Sequence, residues 1–112
     1  NLKILLISFG GILGVLFRYL IVYVFPISSF FGTLIVNIIG SFIIGYLFKS
    51  IDSNLWLFAA IGFCGAFTTF STYSLDMVRL LIAGNFKLLV IYFSLMNIVS
   101  VSFCWLGIRL NS

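Results

Sequence analysis

Charge is scarce in this sequence. Only 7% of its 112 residues are charged, whereas a soluble domain has about 25%. The charged residues are six Lys or Arg and two acids, Asp52 and Asp76, and the chain has neither Glu nor His. So few charges cannot cover the surface of a soluble fold, and 63% of the residues are hydrophobic. The composition therefore excludes a soluble enzyme, a disordered chain and a nucleic-acid-binding module, and indicates a lipid bilayer.

Residues that bind metals or act as catalytic bases are equally scarce. Cys64 and Cys104 both lie in apolar stretches, where free Cys is typically a small buried hydrophobe rather than half of a disulfide or metal site. Asp76 is the only acid inside a span, and we expect it near a span end, where Arg79 at i+3 could pair with it. The sequence therefore predicts no enzyme. It also weighs against a proton-driven transporter, because proton relays use Asp, Glu or His.

Long apolar runs occupy nearly the whole chain. A helix needs about 20 residues to cross a bilayer, so four spans and their connections account for the length. We expect the first run to be retained, because it is longer than the apolar core of a signal peptide and contains Arg18. The sequence thus predicts one all-α transmembrane domain, residues 1–112, with spans at 4–25, 30–48, 55–82 and 88–108.

The third span contains many residues that weaken a helix. From Gly62 to Ser74 it reads GFCGAFTTFSTYS, which is rich in Gly, Thr and Ser. One interpretation is a break around residues 65–69, which is tolerated at membrane depth only where the freed backbone groups are buried or line a polar path. The other is a continuous helix whose small residues allow close packing. Composition alone does not separate the two.

The basic residues are almost evenly divided between the two sides of the predicted membrane. The positive-inside rule, which counts Lys and Arg, therefore gives almost no preferred orientation. This balance favours dual topology, in which two copies pack antiparallel about an axis in the membrane plane; a fixed orientation set by one or two residues is the alternative. One side holds three basic residues and the other two, with a sixth inside the first span: Lys3, Lys49 and Arg109; Arg79 and Lys87; and Arg18.

Polar side chains inside spans are the candidate functional residues, because hydrocarbon makes them costly without a partner. Thr33, Asn37 and Ser41 form one stripe on the second span. That stripe is either a helix–helix seam or a surface where the Asn37 amide faces an anion. Arg18 could reach the interface, hold backbone carbonyls freed by a break, or draw anions into a vestibule.

The second half of the third span carries an aromatic face. Phe70, Tyr73 and Met77 lie at helical spacing, with Ser71 and Ser74 beside them. Aromatic ring edges are positive and could meet a small anion, although such stripes are more often ordinary core. On the fourth span one row reads Tyr92, Met96, Ser100 and Cys104, and its Tyr92 and Ser100 hydroxyls could donate to an ion.

Each of the first three spans carries a motif. These motifs are Gly14-x-x-x-Arg18-Tyr19, Gly32-Thr33-Leu34-x-Val36-Asn37-x-x-Gly40-Ser41, and Gly62-Phe63-Cys64-Gly65-x-x-Thr68-Thr69-Phe70-Ser71-Thr72-Tyr73-Ser74. Together they resemble the Fluc (CrcB) family of fluoride channels over nearly the whole chain, and the third-span motif is the most specific of the three.

The resemblance implies an antiparallel, dual-topology homodimer with two pores in the cell (inner) membrane, exporting fluoride passively and so protecting the cell from its toxicity. It implies a structural sodium ion at the dimer centre, held by backbone carbonyls of Gly65 and Thr68 at the helix break, and it places Arg18 at the vestibule. The implied pore residues are the aromatic pair Phe70 and Tyr73, then Asn37, Ser71, Thr72 and Ser74, and on the fourth span Tyr92 and Ser100.

Three positions depart from the family's usual pattern. Tyr73 stands where Phe is common, Met96 where Ser is common, and Ala66 where Gly is frequent. Two other functions remain open at this point. One is a small dual-topology multidrug or cation exporter, which would depend on an intramembrane carboxylate, and the other is a purely structural membrane subunit.

Overall fold

The computed structural model describes all residues 1–112 and is entirely helical. Four helical stretches are long and apolar enough to cross a membrane, which confirms the predicted all-α class with four spans; the chain is a multi-pass membrane protein. Their ends lie within two residues of the predicted ones. The helices are α1 (Leu2–Val24), α2 (Ser29–Tyr46), α3 (residues 56–67), α4 (Phe70–Ile82) and α5 (Phe86–Leu110), with a short turn at Phe48–Ser50.

Polar side chains begin most of the helices. Each accepts a hydrogen bond from an N–H of the first turn, which has no partner within the helix. The Thr69 hydroxyl accepts from the Thr72 N–H at 3.1 Å and so begins α4. Gly84, at a φ of 71°, forms the tight turn between α4 and α5. The other capping residues are Asn1 for α1, Ser28 for α2 and Asn85 for α5.

Glycines allow α1 to pack backbone to backbone against α3. A methyl group on Gly10 would overlap the carbonyl oxygen of Phe58, and one on Gly14 would overlap the carbonyl oxygen of Phe63. Gly62 on α3 meets α1 in the same way. Without a hydrophobic force between helices in lipid, such close approach is a principal source of packing energy. The GxxxG spacing of α1 therefore fixes the position of α3.

The pair α2 and α5 makes a second contact of the same kind. Gly45 on α2 lies against the carbonyl of Cys104, and Gly107 on α5 lies against the backbone of Phe42 and Tyr46. Two tightly packed pairs, α1 with α3 and α2 with the C-terminal half of α5, thus frame the molecule. The polar residues of α4 and of the middle of α5 take no part in these glycine contacts.

Most of the apolar surface faces outward. Only 20 of the 112 residues are buried, and large apolar side chains on every helix are exposed. This is the reverse of a soluble domain and agrees with a surface that lipid or another chain covers. The interior holds two small clusters, one of Tyr73, Leu80, Tyr92 and Met96 and the other of Val22, Val36 and Phe67.

The third span is interrupted between α3 and α4. Thr68 (φ −85°, ψ 157°) and Thr69 (φ −149°, ψ 114°) have extended backbone, whereas Gly65 remains helical at φ −59° and ψ −33°. The interruption therefore falls at the end of the stretch 65–69 and not at its glycine. Elsewhere the spans contain widened π turns, at Leu20–Val24, Trp56–Cys64 and Leu95–Val99.

Candidate functional site

Asn37 on α2 holds the interrupted backbone. Its Oδ1 accepts the N–H of Thr69 at 2.8 Å, and its Nδ2 donates to the carbonyl of the same residue at 3.2 Å. The same nitrogen also lies 3.2 Å from the sulfur of Met96 on α5. Asn37 thus substitutes for helical hydrogen bonds that Thr69 lacks, and its two amide hydrogens have protein partners.

Arg18 satisfies a carbonyl that the interruption frees. In a continuous helix the Ala66 carbonyl would accept from the N–H of Phe70, but Phe70 begins α4. The half-buried Arg18 donates from Nε to the Ala66 carbonyl oxygen at 2.9 Å. Of the three roles open for Arg18 from the sequence, the geometry agrees with the second, holding a freed carbonyl.

Hydroxyl groups gather at the start of α4. The Thr69 hydroxyl lies 3.1 Å from that of Ser71 and 3.2 Å from that of Thr72. Ser74 instead donates to the carbonyl of Phe70 within its own helix, at 2.9 Å. The three predicted polar-track residues, Ser71, Thr72 and Ser74, therefore all lie in the first turns of α4, and none of them lines the cavity described next.

A cavity of about 420 Å³ opens between α2, α3, α4 and α5. It brings together four of the predicted pore residues, Asn37, Phe70, Tyr73 and Ser100. The rings of Phe70 and Tyr73 meet edge to face, with centroids 5.5 Å apart and planes at 60°. The buried Ser100 hydroxyl has no hydrogen-bond partner. A buried hydroxyl without a partner is costly, and Ser100 is among the residues that line the cavity.

Tyr92 lies outside this cavity and is bonded to an acid. Its hydroxyl donates to Oδ2 of Asp76 at 2.8 Å. Asp76 is only 1% exposed, and we expected Arg79 to pair with it. That expectation needs correction, because the hydrogen bond that satisfies the acid comes from α5 and not from the next turn of α4. The Tyr92 hydrogen is therefore already used within the protein.

Two residues outside the predicted site set bond to members of that set. Asp76 accepts from Tyr92 and does not line the cavity; it shares a helical face with Phe70 and Tyr73, at steps of three, which the sequence shows. Asn97 lines the cavity and donates from Nδ2 to the Tyr73 hydroxyl oxygen at 3.2 Å. For Asn97 the only signal in the sequence was an Asn inside a span, because its partner Tyr73 lies on another helix.

Gly65 and Thr68, at the interruption, both line the cavity. The N–H of Thr69 would bond the Gly65 carbonyl in a continuous helix, but it bonds Asn37 instead. Likewise the Thr72 N–H bonds the Thr69 hydroxyl rather than the Thr68 carbonyl. Carbonyl oxygens are neutral, hard ligands, so this donor set fits a hard monovalent cation.

Comparison with known proteins gives a consistent result. The family model described as "CrcB-like protein, Camphor Resistance (CrcB)" matches residues 5–108. A protein of Campylobacter jejuni named fluoride-specific ion channel FluC is 43% identical, with 93% of each chain covered. A FluC of Leptospira interrogans is 39% identical over 95% of this chain and 91% of its own. A third, FluC 2 of Bacillus thuringiensis, is 37% identical over 98% of both.

Proposed function

Because the chain belongs to the CrcB family, we propose that it is a fluoride-selective ion channel and not an enzyme. It lets fluoride leave the cell passively across the cell (inner) membrane, and so relieves fluoride toxicity. Relatives that carry the name fluoride-specific ion channel over nearly their whole length support this proposal. The family match covers residues 5–108, a range that includes all the positions that line the cavity.

The cavity is the observation that carries the proposal. Phe70 and Tyr73 offer ring edges, and Ser100 offers a buried hydroxyl without a partner. No acid lines the cavity, so nothing there repels an anion by charge. Fluoride is small and accepts strong hydrogen bonds, and a site of neutral donors and ring edges can bind it without trapping it. Asn37 contributes as a lining residue that also holds the adjacent backbone.

The working unit in this proposal is an antiparallel homodimer with two pores. Phe70 is 76% exposed on the single chain, and the cavity it lines is open on one side. A second copy that covers this face would remove Phe70 and the cavity from lipid. Balanced basic residues on the two sides support insertion in both orientations, which an antiparallel pair requires.

A structural sodium ion belongs to the same proposal. The interruption at Thr68 and Thr69 would lie in the middle of the membrane, at the centre of the dimer. The carbonyl oxygens of Gly65 and Thr68 have lost their helical donors and would hold the ion there. Bound sodium would supply a fixed positive charge that holds the two interruptions together.

Efflux from liposomes tests the channel proposal. The purified chain is reconstituted into vesicles loaded with potassium fluoride or potassium chloride, and valinomycin allows potassium to follow the anion. We expect rapid fluoride efflux and far slower chloride efflux, without any proton gradient. Equal rates for the two anions, or no efflux above that of protein-free vesicles, would contradict the proposal.

One observation favours a second candidate, the small multidrug or cation exporter. Asp76 is a buried carboxylate within a span, which such exporters use for proton coupling. Its oxygen is bonded to Tyr92, however, and it does not line the cavity. A proton gradient that drives uptake of a cationic dye, with loss of that uptake in Asp76→Asn, would support the exporter instead. We expect neither effect.

A further inference from the structure

Tyr73 stands where the family commonly has Phe, and its hydroxyl is held by Asn97. The Asn97 nitrogen Nδ2 lies 2.9 Å from the carbonyl oxygen of Phe93 and 3.2 Å from the Tyr73 oxygen. A backbone carbonyl can only accept, so the amide group that faces it must be the NH₂ and not the oxygen. The orientation of the Asn97 amide is therefore fixed by its own helix.

This fixed orientation determines what the Tyr73 hydroxyl does. One hydrogen of the Asn97 amide bonds Phe93, and the other points at the Tyr73 oxygen, which accepts it. A hydroxyl has a single hydrogen, and it cannot point back at an N–H donor. The Tyr73 hydrogen is thus directed away from Asn97. Accepting one bond also polarises the hydroxyl and makes it a stronger donor.

Tyr73, whose hydroxyl keeps this free hydrogen, is one of the residues that line the cavity. Tyr73, Asn97 and Ser100 all line it, and the π turn at Leu95–Val99 lets the neighbouring residues Met96 and Asn97 both face it. The amide hydrogens of Asn37 are already bonded to protein groups. Hydroxyls are therefore the hydrogen-bond donors that remain for an ion between the aromatic pair and α5.

We propose that the Tyr73 hydroxyl, oriented by the Asn97 amide, is a hydrogen-bond donor to the permeating anion and increases the preference for fluoride over chloride. Tyr73 contacts the anion through both ring edge and hydroxyl, and Asn97 is a positioning residue that acts through it. This inference rests on the proposed fluoride channel. Its physical basis is that an O–H donor to a small, hard anion forms a shorter and stronger bond than to a larger one.

Two substitutions and their combination test the inference in the same liposomes. Tyr73→Phe removes the hydroxyl and keeps the ring, and Asn97→Leu removes the amide at similar volume. We expect each to lower fluoride efflux about three- to tenfold, the worth of one hydrogen bond, with little change for chloride. In the Tyr73→Phe background, Asn97→Leu should cause no further loss, because the hydroxyl it orients is gone.

Asn111→Leu is the matched control. It also removes an amide that bonds a backbone carbonyl, that of Tyr46 at 2.7 Å, but it lies outside the cavity. We expect parental fluoride efflux from this variant. Parental efflux from Tyr73→Phe would overturn the inference, as would an Asn97→Leu loss that is equally large in both backgrounds. If the unsubstituted chain passes no fluoride at all, the channel proposal itself fails.

A spectroscopic measurement on the unsubstituted chain tests the inference without comparing the efflux rates of variants. Solid-state NMR of the unsubstituted chain, with ¹³C at the ζ carbon of its five tyrosines, reports on each hydroxyl. Tyr73→Phe assigns the Tyr73 signal by its loss. We expect added fluoride, but not chloride, to shift this signal, and a purely structural hydroxyl would not respond. A Tyr73 signal that fluoride leaves in place, in a chain that passes fluoride, overturns the inference.

Discussion

The seam between α1 and α3 and the junction between α3 and α4 are built on opposite principles. Along the seam, Gly10, Gly14 and Gly62 remove side chains so that two backbones touch. At the junction, Asn37 and Arg18 extend side chains to replace hydrogen bonds that the backbone has lost. The seam is stabilised by shape alone, whereas the junction depends on polar groups that an ion could also engage.

A branched side chain in the seam should have the largest effect. Gly14→Val places atoms where the Phe63 carbonyl and the Phe67 N–H lie, and backbone cannot move aside cheaply. We expect little monodisperse protein after extraction in detergent. Gly11→Ala is the matched control, because its added carbon would lie 3.9 Å from the Gly62 oxygen, an ordinary contact. A well-folded Gly14→Val with parental efflux would show that shape does not maintain the seam.

Phe70→Ile should separate function from folding. The ring is 76% exposed on the single chain, so its loss removes a ring edge from the cavity and leaves little of the core disturbed. We expect efflux of fluoride to fall to that of protein-free liposomes while the elution profile stays parental. Phe9→Ile on α1, a ring 63% exposed and remote from the cavity, is the control and should pass fluoride normally. Parental flux in Phe70→Ile would remove Phe70 from the pore.

Asn37→Leu tests whether the junction needs its amide. The variant leaves the N–H and the carbonyl of Thr69 without partners. We expect it to destabilise the protein by about 2–4 kcal/mol, because an unsatisfied buried group costs about 1–3 kcal/mol. Thermal unfolding in detergent, followed by tryptophan fluorescence, measures the effect. Ser41→Ala, one turn further along α2, is the control. Equal melting temperatures for the two variants would contradict the role given to Asn37.

Arg18→Met should have the smallest of these effects. It removes the 2.9 Å bond to the Ala66 carbonyl but keeps the apolar part of the side chain. We expect a loss of about 1–2 kcal/mol in the same unfolding measurement, near the usual worth of a hydrogen bond to a charged group. Arg109→Met, which removes an exposed guanidinium over the Trp105 ring, serves as control. A parental melting temperature for Arg18→Met would indicate that water, not Arg18, satisfies the carbonyl.

The sequence predicts features that depend on local composition. Hydropathy alone places the four spans, because each apolar run falls near or above the length that a membrane-spanning helix needs. The run of Gly, Thr and Ser likewise indicates an interruption somewhere in residues 65–69. Its exact position at Thr68 and Thr69 could not be predicted, since it depends on a bond to Asn37, 32 residues away in sequence.

Hydrogen-bond partners that lie on different helices could not be predicted from the sequence either. Asp76 has Arg79 one turn away, yet it bonds Tyr92, because the packing of α4 on α5 brings the phenol closer to the carboxylate. Asn97 meets Tyr73 where the π turn of α5 changes the helical register. Spacing rules for regular helices cannot anticipate such a change, so the contact between Asn97 and Tyr73 could not be predicted from the sequence.

The bond between Asn37 and Thr69 joins a span that is synthesised earlier to one that is synthesised later. Thr69 is not a glycine and is not followed by proline, so neither of the two usual helix-breaking residues stops the helix there. The hydrogen-bond partner comes from α2, whose Asn37 precedes Thr69 by 32 residues and is therefore synthesised first. We expect a chain that lacks α2 to form the third span as one uninterrupted helix.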